Sequence, residues 1–172
     1  MIRIFDFLFS LIGLIFLSPL LVLIFFIGLF DNGSPLFIQK RVGYNLKFFS
    51  LIKFRTMPVG TRSAGTHLIK NIHLSSFGKF LRRTKIDEIS QLLNVLLGDM
   101  SLVGPRPCLF NQRKLITERK KRGVFKVRPG ITGLAAINGI DMKTPTLLAK
   151  TDKKMIKNMS CLLYTSDAAD DS

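Results

Sequence analysis

The chain has 172 residues, 26 Lys+Arg against 11 Asp+Glu, and a formal net charge of +15 at pH 7. That length allows one folded domain plus a membrane element, and that charge calls for an anionic partner: nucleic acid, anionic lipid or a phosphorylated substrate. A mean hydropathy of +0.29 is high for a soluble nucleic-acid binder. With no nucleic-acid-binding motif, and with apolar and basic residues segregated along the chain, the balance points to a membrane surface and away from nucleic acid. Cys108 and Cys161 form no C-x-x-C pair and His67 and His73 lack ligand company, so neither a disulfide framework nor a zinc site is indicated.

The first element is a run without charge, Phe7 to Phe30, edged by Asp6 and Asp31 and long enough to cross a bilayer as one helix. Ser18-Pro19 bisects it. Pro19 cannot donate to the Ile15 carbonyl, so the helix must kink or break there, and the Ser18 hydroxyl can satisfy the freed oxygen. Two halves of about 12 residues would each reach about 18 Å, little more than one leaflet, so a kinked spanning helix and a re-entrant helix remain open. The basic remainder is expected on the cytoplasmic side.

After the Asn32-Gly33-Ser34-Pro35 turn, Leu36 to Gln39 and Phe48 to Phe54 read as two strands of a hairpin around Gly43-Tyr44-Asn45. Pro58 to Ser75 is a loop to which no role is assigned. Phe77-Gly78-Lys79-Phe80-Leu81 mixes aromatics and cations. It fits an amphipathic element in the headgroup region or an ordinary core-facing helix.

The stretch Leu81 to Pro107, LRRTKIDEISQLLNVLLGDMSLVGPRP, carries the chemistry. Thr84 is read as a helix N-cap, with Ile86, Ile89, Leu93, Leu96 and Leu97 as one apolar face. Asp87 and Glu88 fall in the first turn, and Asp87 shares the polar side with Gln91 and Asn94. Arg82, Arg83 and Lys85 precede the carboxylates and Arg106 follows in a Pro-Arg-Pro turn. Two adjacent carboxylates among cations suit a phosphorylated substrate, its metal and a carboxylate nucleophile, though acidic first turns are also ordinary helix-capping chemistry. Asn111 to Arg122 reads as a basic surface helix near anionic lipid, with Leu115 and Ile116 as its anchor. Arg128-Pro129-Gly130-Ile131-Thr132-Gly133 is a rigid turn in which Arg128 offers a forked phosphate donor.

The run IDEISQLLNVLLGDMSLVGPRP, with KRVG, KFRTM and RPGITG at their separations, resembles the bacterial sugar transferases, small monotopic polyprenyl-phosphate phosphoglycosyl transferases. The resemblance covers roughly residues 1–160. It implies a mostly α fold with a small β-hairpin, built on a re-entrant N-terminal helix (residues 1–31, broken at Ser18 and Pro19). Interfacial helices within a cytoplasmic, membrane-associated catalytic domain (residues 32–160) complete that fold. It also implies transfer of a sugar 1-phosphate from a UDP-sugar to polyprenyl (undecaprenyl) phosphate at the cytoplasmic face of the bacterial inner membrane. In that scheme Asp87 is the nucleophile that forms a covalent phosphosugar intermediate, and Glu88 is the Mg²⁺ ligand. Lys53, Arg82, Arg106 and Arg128 bind phosphates, and Asp152 matches an acidic position of the family. Ser90 and Ala136 depart from the usual Pro and Gln. Residues 161–172, CLLYTSDAADDS, show no period and read as a truncated or foreign tail without folded structure. A non-catalytic basic membrane-anchored protein that binds anionic lipid, and an inactive fragment of the same family, are the alternatives.

Overall fold

In the computed structural model, which describes residues 2–60, 74–138 and 145–167, the apolar run forms one uninterrupted helix, α1 (Ile2–Asn32). Ser18 Oγ donates to the Ile15 carbonyl at 2.8 Å, filling the bond that Pro19 cannot make, so the chain stays helical through the proline. The expected break is therefore no interruption of helical structure. The chain divides into two compact units, Met1–Arg41 with Phe49–Asp99, and Val42–Phe48 with Met100–Ser172.

In the first unit α1 is followed by strands β1 (Leu36–Val42) and β2 (Phe48–Phe54), helix α2 (Ser76–Thr84), a 3₁₀ segment (Ile86–Gln91) and helix α3 (Leu92–Leu97). The β1 and β2 strands are hydrogen-bonded neighbours, as the hairpin pattern predicts. Ile24 of α1, Phe54 of β2 and Leu81 of α2 form the core, with Leu21, Leu36 and Phe77 packed against them. The helix α1 meets this unit along its length. Arg3 donates to the Val95 and Leu96 carbonyls at 2.5 and 3.0 Å, filling orphan acceptors at the end of α3. A Cβ on Gly13 would sit 3.3 Å from Leu92, and one on Gly28 would sit 3.1 Å from Pro35. The remaining faces of α1, including Phe9, Phe16, Val22 and Phe30, are exposed and apolar.

The carboxylate-bearing stretch differs from the single capped helix expected. Thr84 is the last residue of α2, and its hydroxyl donates backwards to Phe80 and Leu81 carbonyls at 2.8 and 3.2 Å. Lys85 then turns left-handed (φ 61°), which stops α2 and starts the 3₁₀ segment. The faces are also inverted. Asp87, Gln91, Asn94 and Val95 are buried, while Leu93 and Leu97 are exposed. The cause is the free edge of β2, whose backbone groups need partners. Asn94 supplies them with its carboxamide: Oδ1 accepts from Ile52 N at 3.0 Å and Nδ2 donates to Ser50 O at 2.7 Å. Ser90 Oγ adds a bond to Ile52 O at 3.3 Å.

The second unit contains β3 (Ser101–Val103), β4 (Cys108–Leu109), α4 (Arg113–Lys121), β5 (Gly130–Thr132), α5 (Leu134–Ile137) and α6 (Pro145–Asp167). Strands β3 and β5 pair in parallel, Ser101 with Gly130 and Val103 with Thr132. Their approach requires glycine: a Cβ on Gly104 would lie 2.6 Å from the Arg128 carbonyl, and one on Gly130 would collide with the Gly104 backbone. Val42, Cys108, Leu115, Ala135 and Leu148 make the core. Residues 161–167 of the tail expected to lack folded structure continue α6, which runs on to Asp167. No Gly or Pro follows Pro145 within it, so nothing in the backbone stops propagation even where side-chain periodicity lapses.

Candidate active site

Within the first unit, docking of Asn94 and Ser90 on the β2 edge sets Asp87 one turn further along the same buried face. The charges of Glu88, Lys53, Lys85 and Arg82 all act on it. Asp87 is 5 % exposed and its Oδ1 has no hydrogen-bond partner. Burial pushes its carboxyl above the ordinary value, and Glu88 adds to that push. Lys53, Lys85 and Arg82 act in the opposite sense. Lys53 leaves β2 half-buried, with its ammonium 5.4 Å from the Phe37 ring centroid. Burial lowers its pKa, an effect that Asp87 opposes and Arg41 reinforces. Arg82 is likewise lowered by burial and pulled back by Asp87, though a guanidinium stays charged throughout. Its Nε donates to Thr56 Oγ1 at 2.8 Å.

A buried acceptor without a donor, in a ring of cations held by a strand edge, is a costly arrangement that an incoming cation or electrophile would relieve. The donor set is all oxygen. Among the described residues no group of three or more His, Cys, Asp or Glu could hold a metal unaided. A Mg²⁺ ion needs fewer protein ligands, because it uses one or two carboxylates together with substrate phosphates and water. Asp87 and Glu88 fit that requirement.

Arg106, Arg128 and Asp152 belong to the second unit. Arg128 is exposed, with its guanidinium 5.6 Å from the Tyr44 ring centroid. Asp152 is a packing partner: its Oδ2 accepts from Arg119 Nε at 2.9 Å, with side chains 1 % and 2 % exposed. Arg119 Nη1 in turn donates to the Arg106 carbonyl at 2.6 Å, which ties the Pro-Arg-Pro turn to α4 and α6. The reading of α4 as wholly surface-facing misses Arg119. The available signal is its position four residues after Leu115, on the apolar stripe. Thr56 carries no such signal in the sequence.

These features define a protein with an apolar helix of membrane-crossing length and an anion-directed carboxylate site built against a strand edge. The bacterial sugar transferase family matches residues 1–166, and the chain belongs to it. An uncharacterized sugar transferase, EpsL of Bacillus subtilis, is 50 % identical over 108 residues, covering 62 % of this chain and 53 % of that protein. A UDP-glucose:undecaprenyl-phosphate glucose-1-phosphate transferase of Klebsiella pneumoniae is 41 % identical over 160 residues, covering 89 % of this chain and 34 % of that protein. An undecaprenyl-phosphate galactose phosphotransferase of Salmonella typhimurium is 32 % identical over 154 residues, covering 80 % of this chain and 32 % of that protein. The chain thus spans about half the length of the first of these relatives and about a third of the other two.

Proposed function

We propose that this chain transfers a sugar 1-phosphate from a UDP-sugar to a polyprenyl phosphate such as undecaprenyl phosphate, through a covalent intermediate on Asp87. The observation that carries the proposal is the buried, unpartnered Asp87 Oδ1 beside Lys53, Arg82 and Glu88. A carboxylate oxygen without a hydrogen bond keeps its lone pairs for attack, and nearby cations offset its repulsion from an anionic diphosphate. The Klebsiella and Salmonella relatives, named as undecaprenyl-phosphate transferases of glucose 1-phosphate and galactose phosphate respectively, support the acceptor class.

The steps balance as follows. An Asp87 oxygen attacks the phosphorus that bears the sugar, an Asp–O–P bond forms, and the bond to UMP breaks. An oxygen of the polyprenyl phosphate then attacks the same phosphorus, the Asp–O–P bond breaks, and a polyprenyl diphosphate sugar leaves with Asp87 regenerated. Lys53 and Arg82 hold the phosphate oxygens during both displacements. Mg²⁺, which Glu88 with Asp87 would hold, supplies charge neutralisation on the diphosphate when bound. On the second unit we retain anion contacts for the exposed Arg128 and for Arg106, and a structural role for Asp152.

We place the reaction at the cytoplasmic face of the inner membrane, with α1, helical through Pro19, as the membrane element. Arg3 on the Val95 and Leu96 carbonyls, Gly13 beside Leu92, and Ile24 in one core with Phe54 and Leu81 hold α1 to the rest of the first unit. Exposed Lys150, Lys153, Lys154 and Lys157 on α6 suit anionic headgroups. The test is UMP release from a panel of UDP-sugars by the full chain in lipid nanodiscs. Release of about one equivalent without acceptor, with an intact-mass adduct mapped to Asp87, is expected. Release that strictly requires the lipid acceptor would overturn the covalent scheme.

A further inference from the structure

Arg82 and Thr56 meet in a way that the proposed reaction does not by itself require. Thr56 lies just after β2, three residues beyond Lys53, and is 4 % exposed. It is fixed against α2 at two successive positions of one helix face. Its carbonyl abuts Gly78, where a Cβ would sit 2.5 Å from the oxygen. Its hydroxyl accepts from Arg82 Nε, four residues on, at 2.8 Å. Gly78 is held in turn, its N–H donating to Ser75 Oγ at 2.9 Å, and Ser75 Oγ contacts Asp31 Oδ2 at 2.7 Å. Among the described residues Thr56 is the one hydrogen-bond partner of Arg82.

A guanidinium can meet an anion edge-on through Nε and one Nη, or end-on through both Nη groups. With Nε committed to Thr56, only the end-on pair is left for a ligand, and its direction is fixed by two rigid elements. A free arginine would sample many rotamers and lose that freedom on each binding event.

We infer that Thr56 is a positioning residue for Arg82, holding Nε so that the two Nη groups present one end-on fork to a phosphate of the donor. This rests on the phosphate-transfer reading of the site. The end of β2 and the residues just after it then deliver both cations: Lys53 by its own side chain, and Arg82 through Thr56. A buried hydroxyl that merely finds a donor is the competing account, and it predicts no link between Thr56 and anion binding.

The test uses the full chain in nanodiscs. Thr56→Val keeps the shape and removes the hydroxyl, Thr56→Ser restores it, and Arg82→Ala removes its partner. Two quantities are read: kcat/KM for UMP release with the best UDP-sugar, and the rise in Tm that inorganic pyrophosphate produces. Thr56→Val should lower kcat/KM by about tenfold, mostly through KM, and should lose most of the pyrophosphate shift. Thr56→Ser should stay within about threefold of wild type, and Thr56→Val should have no further effect in the Arg82→Ala background. Wild-type kcat/KM in Thr56→Val, or a full additional loss in Arg82→Ala, overturns the inference. If Thr56→Val does not fold, Thr56→Ala takes its place, and failure of both to fold assigns Thr56 to the core and overturns it too. Failure of the wild type to release UMP would overturn the reaction instead. The pyrophosphate shift still reports on the Thr56–Arg82 fork in that case, and its retention in Thr56→Val overturns the inference on its own.

Discussion

Replacing Asp152 separates a structural acid from a catalytic one. Its carboxylate and the Arg119 guanidinium are 1 % and 2 % exposed and 2.9 Å apart, so solvent screens neither charge. Removing one partner strands the other, and breaking a buried pair in this way costs about 3–5 kcal/mol. Asp152→Asn keeps an oxygen that can still accept from Nε and belongs near the lower figure, about 3 kcal/mol; Asp152→Leu belongs near the upper, about 5 kcal/mol. At about 2–4 °C per kcal/mol for a chain of this size, the melting temperature should fall by roughly 6–20 °C across the two variants. Thermal unfolding in nanodiscs, followed by far-UV circular dichroism, measures this. The double variant Arg119→Met/Asp152→Leu removes both charges and should recover most of the loss. It also deletes the bond from Arg119 to the Arg106 carbonyl, so its UMP release per folded molecule should stay low while its stability returns. A fall of less than about 1 kcal/mol for Asp152→Leu would refute the argument, because an uncompensated buried guanidinium cannot be that cheap.

Three further outcomes follow from the first unit. Asp87→Asn should abolish UMP release and the adduct, yet raise stability near neutral pH by about 1–3 kcal/mol. Because burial raises the Asp87 pKa, its contribution is present below the ordinary carboxylate range and is lost as pH rises through the raised value; the gap between variant and wild-type Tm should therefore close in acid. Lys53, with its pKa lowered by burial, should lose its charge as pH rises, so the rate should fall on the alkaline side, and Lys53→Arg should move that limb upward. Asn94→Leu leaves Ser50 O and Ile52 N without their partners and should cost about 2–4 kcal/mol by denaturant titration, with activity falling as Asp87 loses its seat.

Local chemistry was legible wherever one residue decides it. Pro19 removes a donor, so Ser18 completing the Ile15 carbonyl follows from the two residues alone. The Asp87-Glu88 pair stands out through its motif, and the buried setting of Asp87 gives that motif physical content. What periodicity misread was the face. Asp87, Ser90, Gln91 and Asn94 form a polar stripe, and a polar stripe is ordinarily solvated. Here it is buried because a strand edge offers amides and carbonyls that only polar side chains can pair, and no count of apolar residues within the helix reveals a strand that far away in sequence. The same limit hid Arg119: a guanidinium reads as surface until Asp152, 33 residues later, is seen to meet it. The end of α6 failed in the other direction, since loss of an amphipathic pattern removes a reason to pack without supplying a reason to stop.

How α3 is held ties the carboxylate to the apolar N-terminal helix. Six residues of helix are too short to be stable alone. Its polar face is pinned to β2 by Asn94, and its C-terminal carbonyls are capped by Arg3, from the first turn of the apolar helix. Gly98, at φ 93°, ends the helix with its Cα only far enough from Arg3 for a Cβ to come within 3.0 Å of the guanidinium. Asp87 is therefore referenced at one end to the hairpin that carries Lys53 and at the other to the apolar helix of membrane-crossing length. In the proposed reaction the donor is water-soluble and the acceptor cannot leave the membrane, so the nucleophile has to wait at one height for both. A carboxylate on an independent loop would satisfy the chemistry and fail this geometric condition. One tied to the N-terminal turn of α1 would move with that helix, which makes Arg3 part of what positions Asp87 although it lies 84 residues away in the chain.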